Sequence, residues 1–368
     1  MHFFSRLLVR PGVLAGLLAM LYLVSAAWIK ADRLWQWKAA LLAQEFGHWF
    51  ALVSVLLALA AWTAFTGWHR NVLCLLGLAL AAAHMVPAIG AARLTPGFDW
   101  ARLWTPWRTF HAEVVTERKV FWKQGDDSLD LIACRPVTAA SARPWVLVVH
   151  GGGWDGGTAD EFAEWNQELA SHGLVVLTMN YRLAPKDRWP AQRDDVRHAV
   201  EWARAHAQEL GLDPAKLIMM GRSAGGQIAS ACAYGQPDLK VARCILFYSP
   251  MDMVFARKYA YAEDILNSLS LLRKYLGGDP EQVPEAYHTS SAINYVTPAA
   301  PPTLLMHGTN DSLVWVKQSR RFAQRLEEAG VKHRFIELPW ATHGCDYFPS
   351  TPEGQLSMHA VLEFIAEL

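Results

Sequence analysis

Three long apolar stretches without a charged residue lie close together near the start of the chain. Residues 11–29, 46–69 and 71–92 contain no Asp, Glu, Lys or Arg. A helix that crosses a bilayer needs about 20 mostly apolar residues, so the pattern predicts spanning helices at about 11–29, 47–66 and 71–92. Tryptophan recurs near several predicted ends, where interfacial aromatic belts lie. We therefore predict a transmembrane helical region over residues 1–93.

Two other interpretations of these stretches stay open. They are compatible with a buried helical core, and the first resembles a secretory signal, because Arg6 and Arg10 precede it and Ser-Ala-Ala at 25–27 is typical of a cleavage site. Residues 30–45 mix basic residues, tryptophan and leucine. This mixture fits either an amphipathic helix among the lipid headgroups or a plain loop between spans.

The basic residues indicate an orientation in the membrane. With three spans, one side carries Arg6, Arg10 and Arg70. The other side carries Lys30, Arg33, Lys38, Arg93, Arg102 and Arg108. The positive-inside rule places the larger set in the cytoplasm. We expect a multi-pass integral protein of a bacterial inner (cytoplasmic) membrane, with everything after the third span facing the cytoplasm.

The pattern changes after the third span. Residues 94–112 are rich in tryptophan and proline and predict an aromatic linker near the membrane surface. From residue 113 to 368, short apolar runs alternate with stretches whose apolar residues have helical spacing. The predicted strands are residues 114–122, 129–137, 145–149, 174–180, 217–220, 244–248, 302–306 and 333–338. Helical stretches at 162–172, 194–210, 226–231 and 353–368 alternate with them, which predicts an α/β fold with a mainly parallel sheet and helices on both faces.

One segment interrupts this alternation. Residues 251–298 carry many tyrosines and leucines without the strand–helix pattern. They predict a small cap inserted over a pocket, and a helical layer packed on the sheet edge is an equally good interpretation. We consider Met251 and Phe255 candidates for lining this pocket and contacting a substrate there.

A nucleophile is indicated by the pentapeptide Gly-Arg-Ser-Ala-Gly at residues 221–225. It lies between an apolar run and a helix-compatible stretch, which is the context of a Gly-x-Ser-x-Gly elbow that exposes the serine at a sharp turn. This predicts Ser223 as the nucleophile. A chance glycine-rich turn is the alternative.

A serine hydroxyl needs a base, an acid that orients the base, and donors for the oxyanion. In hydrolases of this fold the chain order is serine, acid, histidine. Asp311 follows the predicted strand 302–306, and His343 lies between the last predicted strand and the last predicted helix. We therefore predict Asp311 as the acid and His343 as the base.

The motifs resemble a known family. His-Gly-Gly-Gly-Trp at 150–154, Tyr-Arg-Leu-Ala-Pro at 181–185 and Gly-Arg-Ser-Ala-Gly-Gly at 221–226 are similar to those of the hormone-sensitive-lipase-like, acetyl esterase/lipase group of α/β-hydrolases. The resemblance covers about residues 113–368 and implies an α/β-hydrolase fold. It implies that Gly152, Gly153 and Ala224 donate the oxyanion-hole N–H groups. We consider Trp154, in the same glycine loop, a further candidate for contact with the substrate.

The chain departs from this family at two places. Arg222 stands where lipase-like members commonly have an acidic residue. The acid motif, Gly-Thr-Asn-Asp at 308–311, resembles the related feruloyl-esterase-like and isoprenylcysteine-methylesterase-like branches. These departures bear on the subfamily.

Composition excludes other classes of function. The chain has 368 residues and a formal net charge of zero, which argues against a nucleic-acid partner. Its five cysteines are scattered without a Cys-x-x-Cys pair, so we predict no zinc site, no other metal and no organic cofactor. The sequence does not determine the oligomeric state.

These observations predict a membrane-anchored serine hydrolase that cleaves carboxylic esters through an acyl-enzyme, with a lipophilic ester and the lipid bilayer as partners. A membrane acyltransferase with the same triad is the alternative, and a catalytically inactive membrane scaffold is a third interpretation.

Overall fold

The computed structural model describes residues 2–105, 113–137 and 142–368, and only the backbone for residues 2–8. The second half of the predicted linker, residues 106–112 with Arg108, lies outside the described residues.

The N-terminal part is helical. Its helices are α1 (His2–Trp28), α2 (Leu34–Glu45), α3 (Gly47–Ala64), α4 (Gly67–His84) and α5 (Val86–Leu94). Three segments, Val9–Trp28, Gly47–Ala64 and Gly67–Leu94, are long and apolar enough to cross a membrane, by length and composition. Their outer faces expose leucines, with Leu18, Leu59 and Leu75 each at least 60% exposed. Such faces suit lipid better than water.

Small residues bring α3 and α4 close together. A Cβ built on Gly77 would lie 2.8 Å from the Cβ of Ala58 and 3.0 Å from the backbone oxygen of Ser54. Small side chains at such a crossing allow backbones to approach and gain dispersion contacts. Residues 30–45, for which a helix and a loop were both open, form the helix α2 over most of their length.

The rest of the chain is built around one eight-stranded sheet. Its strands are β1 (Val114–Gln124), β2 (Asp127–Pro136), β3 (Arg143–Val149), β4 (Val175–Met179), β5 (Leu212–Arg222), β6 (Arg243–Phe247), β7 (Thr303–Gly308) and β8 (His333–Leu338). The order is β1-β2-β4-β3-β5-β6-β7-β8. Strand β2 is antiparallel to both of its neighbours, and all other pairs are parallel.

Helices cover both faces of this sheet. They are α6 (Ala163–Ser171), α7 (Ala191–Ala205), α8 (Ala207–Leu210), α9 (Ala224–Gly235), α10 (Met253–Tyr259), α11 (Ser268–Leu276), α12 (Pro284–Thr289), α13 (Lys317–Glu328) and α14 (Pro352–Ala366). Side chains alternate across β3, so Leu147 packs in one core with α7 and α9, and Val148 in the other with α6 and α14. The predicted fold class is confirmed.

The strand order determines which loops meet. Strands β3 and β5 are neighbours, as are β7 and β8, and all four run parallel. The loops that follow them therefore emerge at one edge of the sheet, where open α/β sheets bind ligands. These loops carry every residue predicted for the catalytic machinery.

Candidate active site

Ser223 lies at a sharp turn between β5 and α9. Its backbone has φ 53° and ψ −123°, a region that non-glycine residues rarely adopt. The two flanking glycines are required by space: a Cβ on Gly221 would collide with the backbone of Gly225, and one on Gly225 would collide with the backbone oxygen of Val149. The turn is anchored by the Ser223 N–H, which donates to the backbone oxygen of Phe247 at 3.0 Å.

The glycine loop after β3 lies directly against this turn. A Cβ on Gly151 would be 3.5 Å from the Cβ of Ser223. Gly152 and Gly153 have φ of 103° and 61°, which only glycine adopts without strain. Two backbone oxygens of the loop, those of His150 and Gly151, accept from the Tyr181 hydroxyl at 3.2 and 3.1 Å. The N–H groups of residues 152, 153 and 224 thus belong to segments adjacent to Ser223.

The predicted acid and base are in contact. His343 Nδ1 lies 2.7 Å from Asp311 Oδ2, and both side chains are buried. The loops are joined by their backbones, because Thr309 N–H donates to Leu338 and Asn310 N–H to Ala341. Ser223 Oγ makes no hydrogen bond to any residue that the structure describes, which is common for nucleophiles in unliganded sites.

Asp311 is held as a carboxylate. Burial would raise its pKa, but the charges and hydrogen bonds of His343 and His307 outweigh burial and hold the pKa below its usual value. His307 lies 3.1 Å from the same oxygen, Oδ2, and its Nδ1 contacts Ser319 Oγ at 2.7 Å. The other carboxylate oxygen accepts from the N–H groups of residues 313 and 314 at 2.8 Å each. An ionised, fully bonded carboxylate is what orients an imidazole.

A buried ion pair below the site was not found by sequence reasoning. Arg222 Nε donates to Asp346 Oδ2 at 2.7 Å, and both side chains are almost fully buried. Asp346 Oδ1 accepts from the Tyr248 hydroxyl at 2.6 Å, and the Tyr248 ring lies 4.5 Å from the His343 ring. Asp346 follows His343 by three residues, but nothing local marks it as the partner of Arg222.

A cavity of about 110 Å³ opens beside Ser223. Gly153, Ala224, Trp154 and Phe255 line it, so two of the three candidate substrate contacts face the cavity. Met251 does not appear among its described lining residues; its side chain is fully buried in the core on the α7 side of the sheet.

Residues from α10 and α11 form one wall of this cavity, and the stretch after Asp311 forms another. Besides those already named, the lining includes Tyr259, Tyr261, Leu266, Leu271, Ser312, Leu313, Val314 and Trp315. The wall is mostly apolar. Among the described residues, no group of three or more His, Cys, Asp or Glu side chains is placed to hold a metal ion.

The fold and this arrangement define an α/β-hydrolase. Residues 129–326, more than half of the chain, match the BD-FAE family. The chain therefore belongs to the BD-FAE family. This agrees with the esterase resemblance found in the motifs, which is confirmed.

Similar proteins are esterases. The chain is 30% identical over 261 residues to a probable carboxylic ester hydrolase, LipM of Mycobacterium tuberculosis (strain ATCC 25618 / H37Rv), covering 67% of this chain and 57% of LipM. Esterase LipC of the same organism is 29% identical over 276 residues, covering 70% of this chain and 66% of LipC.

A solved structure is similar too. Est2, a thermophilic esterase from the Planctomycetes species Thermogutta terrifontis with propionate bound, has a TM-score of 0.57 and 26% identity, covering 68% of this chain and 94% of Est2. The predicted enzyme class, carboxylic ester hydrolase, is confirmed for the hydrolase fold by these similarities. The chain spans less than two thirds of the length of LipM and LipC.

Proposed function

We propose that the whole protein is a membrane-anchored serine hydrolase that cleaves carboxylic esters. The observation that carries this proposal is the 2.7 Å contact between His343 Nδ1 and Asp311 Oδ2 at the sheet edge where Ser223 occupies the nucleophile turn. Acyl transfer needs an acid, a base and a nucleophilic serine at one place, and the acid loop, the base loop and the nucleophile turn are proposed to supply them.

The reaction proceeds through an acyl-enzyme. Ser223 Oγ attacks the ester carbonyl carbon while His343 Nε2 takes its proton. The N–H groups of residues 152, 153 and 224 stabilise the negative oxygen of the tetrahedral intermediate. The bond to the alcohol then breaks, and His343 returns the proton to the leaving oxygen. Water attacks the acyl-enzyme with His343 again as base, which releases the acid and restores Ser223.

The role of Ser223 is tested by Ser223→Ala in the full chain, purified in detergent. We expect hydrolysis of p-nitrophenyl acetate to fall by about 10³-fold or more, since only binding and the oxyanion donors are left, and labelling by a fluorophosphonate probe to disappear. Ser128→Ala, at an exposed position on β2, is the matched control and retains both. Full activity in Ser223→Ala contradicts the proposal.

The cavity favours a short acyl group. Its volume of about 110 Å³ is below that of an engineered cavity of about 150 Å³ that holds benzene. The similar structure Est2 carries bound propionate. The alcohol part is proposed to be lipophilic, because Ser312, which lines the cavity, accepts a hydrogen bond from the backbone N–H of Ala31, three residues after the first candidate span. The cavity mouth thus lies near the membrane surface.

Chain-length preference tests this substrate class. We expect kcat/KM of the full chain to be highest for p-nitrophenyl esters of two to four carbons and to fall toward sixteen carbons. Leu271→Ala, which removes a side chain from the cavity wall, is expected to shift the preference toward six to eight carbons by about tenfold, as one or two extra methylenes in an apolar pocket do.

The matched control is Leu362→Ala on α14, where the side chain packs far from the cavity. A wild-type preference for long chains would contradict the short-acyl proposal without touching the triad. Product analysis with added long-chain alcohols distinguishes hydrolysis from transfer: release of free acid alone supports a hydrolase, and formation of a new ester identifies an acyltransferase.

A further inference from the structure

The end of α1 lies against the loop that carries Asp311. Asn310 Nδ2 donates to the backbone oxygen of Ala27 at 3.1 Å, and the backbone N–H of Ala31 donates to Ser312 Oγ at 2.8 Å. These two bonds hold the residues immediately before and after Asp311. The N-terminal helices therefore contact the acid loop on both sides of the acid.

Helix α2 makes the corresponding contacts to the loop that carries His343. Gln44 Oε1 accepts from the backbone N–H of Thr342 at 2.8 Å, and Trp37 Nε1 donates to the backbone oxygen of His343 itself at 3.1 Å. Trp37, Ala40 and Gln44 follow the i, i+3, i+7 spacing of one helix face, and Gln44 is completely buried. This face is therefore occupied by the base loop.

Gln44 joins the two sets of contacts. Its Nε2 donates to the backbone oxygen of Ala27 at 3.0 Å, the same oxygen that accepts from Asn310. The acid loop and the base loop are also joined to each other directly, because Thr342 Oγ1 donates to the backbone oxygen of Asn310 at 3.4 Å. Acid loop, α1, α2 and base loop thus form one closed circuit of hydrogen bonds.

Neither Gln44 nor Trp37 is among the described residues that line the cavity. They contact backbone atoms of the base loop, and Gln44 also contacts Ala27 of α1, rather than any space a substrate occupies. The orientation of an imidazole and its carboxylate depends on where their backbones are held, and a displacement of about 1 Å can cost about 100-fold in rate. The contacts are thus suited to act on turnover without acting on substrate binding.

We propose that α2 is a positioning element of the catalytic site: Gln44 and Trp37 hold the base loop and, through Ala27, the acid loop, at the separation that the Asp311–His343 contact requires. This rests on the proposed function. The helices next to the membrane then serve turnover as well as anchoring, and the site is complete only when α1 and α2 are docked on the hydrolase fold.

The test compares substitutions in the full chain, in detergent, on water-soluble p-nitrophenyl acetate. Gln44→Met keeps the size of the side chain and removes its hydrogen bonds; Trp37→Phe keeps an aromatic ring and removes the bond to His343. Gln36→Met is the matched control, because Gln36 lies on the same helix and accepts from the N–H groups of Asp32 and Arg33, just before the helix, rather than from either loop. Thermal unfolding and the rate of fluorophosphonate labelling are measured for each variant.

We expect kcat and the labelling rate to fall about tenfold or more in Gln44→Met and in Trp37→Phe, with KM within twofold of wild type, and to stay at the wild-type level in Gln36→Met. Folded Gln44→Met and Trp37→Phe with wild-type kcat would overturn the positioning role, as would an equal loss in Gln36→Met. If Gln44→Met does not fold, Trp37→Phe decides alone. An inactive wild type or an active Ser223→Ala contradicts the proposed function, and the positioning role with it.

Discussion

The buried charge of Arg222, the residue before the nucleophile, is balanced by a carboxylate from another loop. The residue before the nucleophile departs from the acidic one common in lipase-like relatives, and the structure supplies its opposite charge from the base loop at Asp346. The guanidinium is also enclosed by three aromatic rings, with centroids at 4.0, 4.5 and 4.7 Å: Phe162, Trp165 and Phe247. The ion pair therefore fixes the base loop to the nucleophile turn.

Breaking this pair is expected to be costly. Arg222→Met leaves the buried Asp346 without its cation, so we expect the free energy of unfolding to fall by about 3–5 kcal/mol. The double variant Arg222→Met/Asp346→Asn removes both charges and is expected to recover much of that loss. Denaturant unfolding of the wild type, Arg222→Met, Asp346→Asn and the double variant in detergent measures the coupling. A loss in the double variant equal to the sum of the two single losses would mean that the pair is not coupled.

At the scale of elements, α14 and α2 bring two carboxyl groups into the interior. Glu353 in the first turn of α14 is completely buried, and burial raises its pKa to about 8, although the Trp340 indole N–H at 2.6 Å opposes the rise. Glu45 at the end of α2 faces it, and its pKa is raised well above the usual value by burial and by the charge of Glu353. Glu353 is therefore mainly protonated at neutral pH, and the pKa of Glu45 is shifted in the same direction.

A pH dependence of stability follows. The folded-state pKa of Glu353 lies above its unfolded value of 4.5. The stability that the protonated carboxyl group provides is therefore fully present below about pH 4.5 and is lost as the pH rises through about 8. We expect the melting temperature of the wild type to fall between pH 5 and 9, by an amount that corresponds to at most a few kcal/mol. Glu45 acts in the same direction.

The matched variant for this effect is Glu353→Gln, which cannot ionise. Its melting temperature is expected to change less over the same range and to exceed that of the wild type at pH 9. Parallel curves for the two proteins would show that Glu353 does not carry the dependence.

Elements were more predictable than their ends. All eight strands occur where alternating or apolar runs predict them, since each strand needs its own buried side chains.

The predicted helix at 194–210 is divided in the structure, with α7 ending at Ala205 and α8 beginning at Ala207. The break at His206 is accompanied by its Nδ1 contact with the backbone oxygen of Trp202 at 2.8 Å and a stacked ring pair. Such local side-chain bonds compete with helix continuation.

At the scale of the whole molecule, the contacts of α1 and α2 agree with the charge pattern. Residues 27–44 contact the hydrolase fold, so the hydrolase fold lies at the end of the candidate spans where the first finishes and the second begins. The short connection between α3 and α4 lies at the opposite end of the spans. There Arg10 Nε donates to the backbone oxygen of Ala64 at 2.9 Å.

The proposed orientation is tested by cysteine labelling in intact cells of a bacterial host. Thr66→Cys, exposed in the α3–α4 connection, is expected to react with a membrane-impermeant maleimide from outside, since the connection faces the periplasm if the hydrolase fold is cytoplasmic. Ala101→Cys, exposed on the hydrolase side, is expected to react only after lysis. The reverse pattern would place the hydrolase fold outside the cytoplasm.

The sequence by itself determined the class of fold and the identity of the candidate catalytic residues. Hydrophobic periodicity is a local property, the nucleophile turn needs glycines at fixed offsets, and the acid and base each follow a predicted strand. Ser223, Asp311 and His343 are therefore readable from the residues around them. The three apolar stretches are readable for the same reason, because the length of a spanning helix is set by the bilayer.

Tertiary structure alone decided what surrounds these residues. Arg222 meets Asp346 across 124 residues, and Gln44 meets Thr342 across 298; no local pattern records such pairings. Whether Met251 lines the cavity or packs only in the core was equally unreadable, because both positions select apolar side chains; it is fully buried in the core and is not among the cavity-lining residues described. Partners that lie far apart in the sequence leave no pattern in the residues around either of them. Folding brings them together because buried charges and hydrogen-bonding groups need partners.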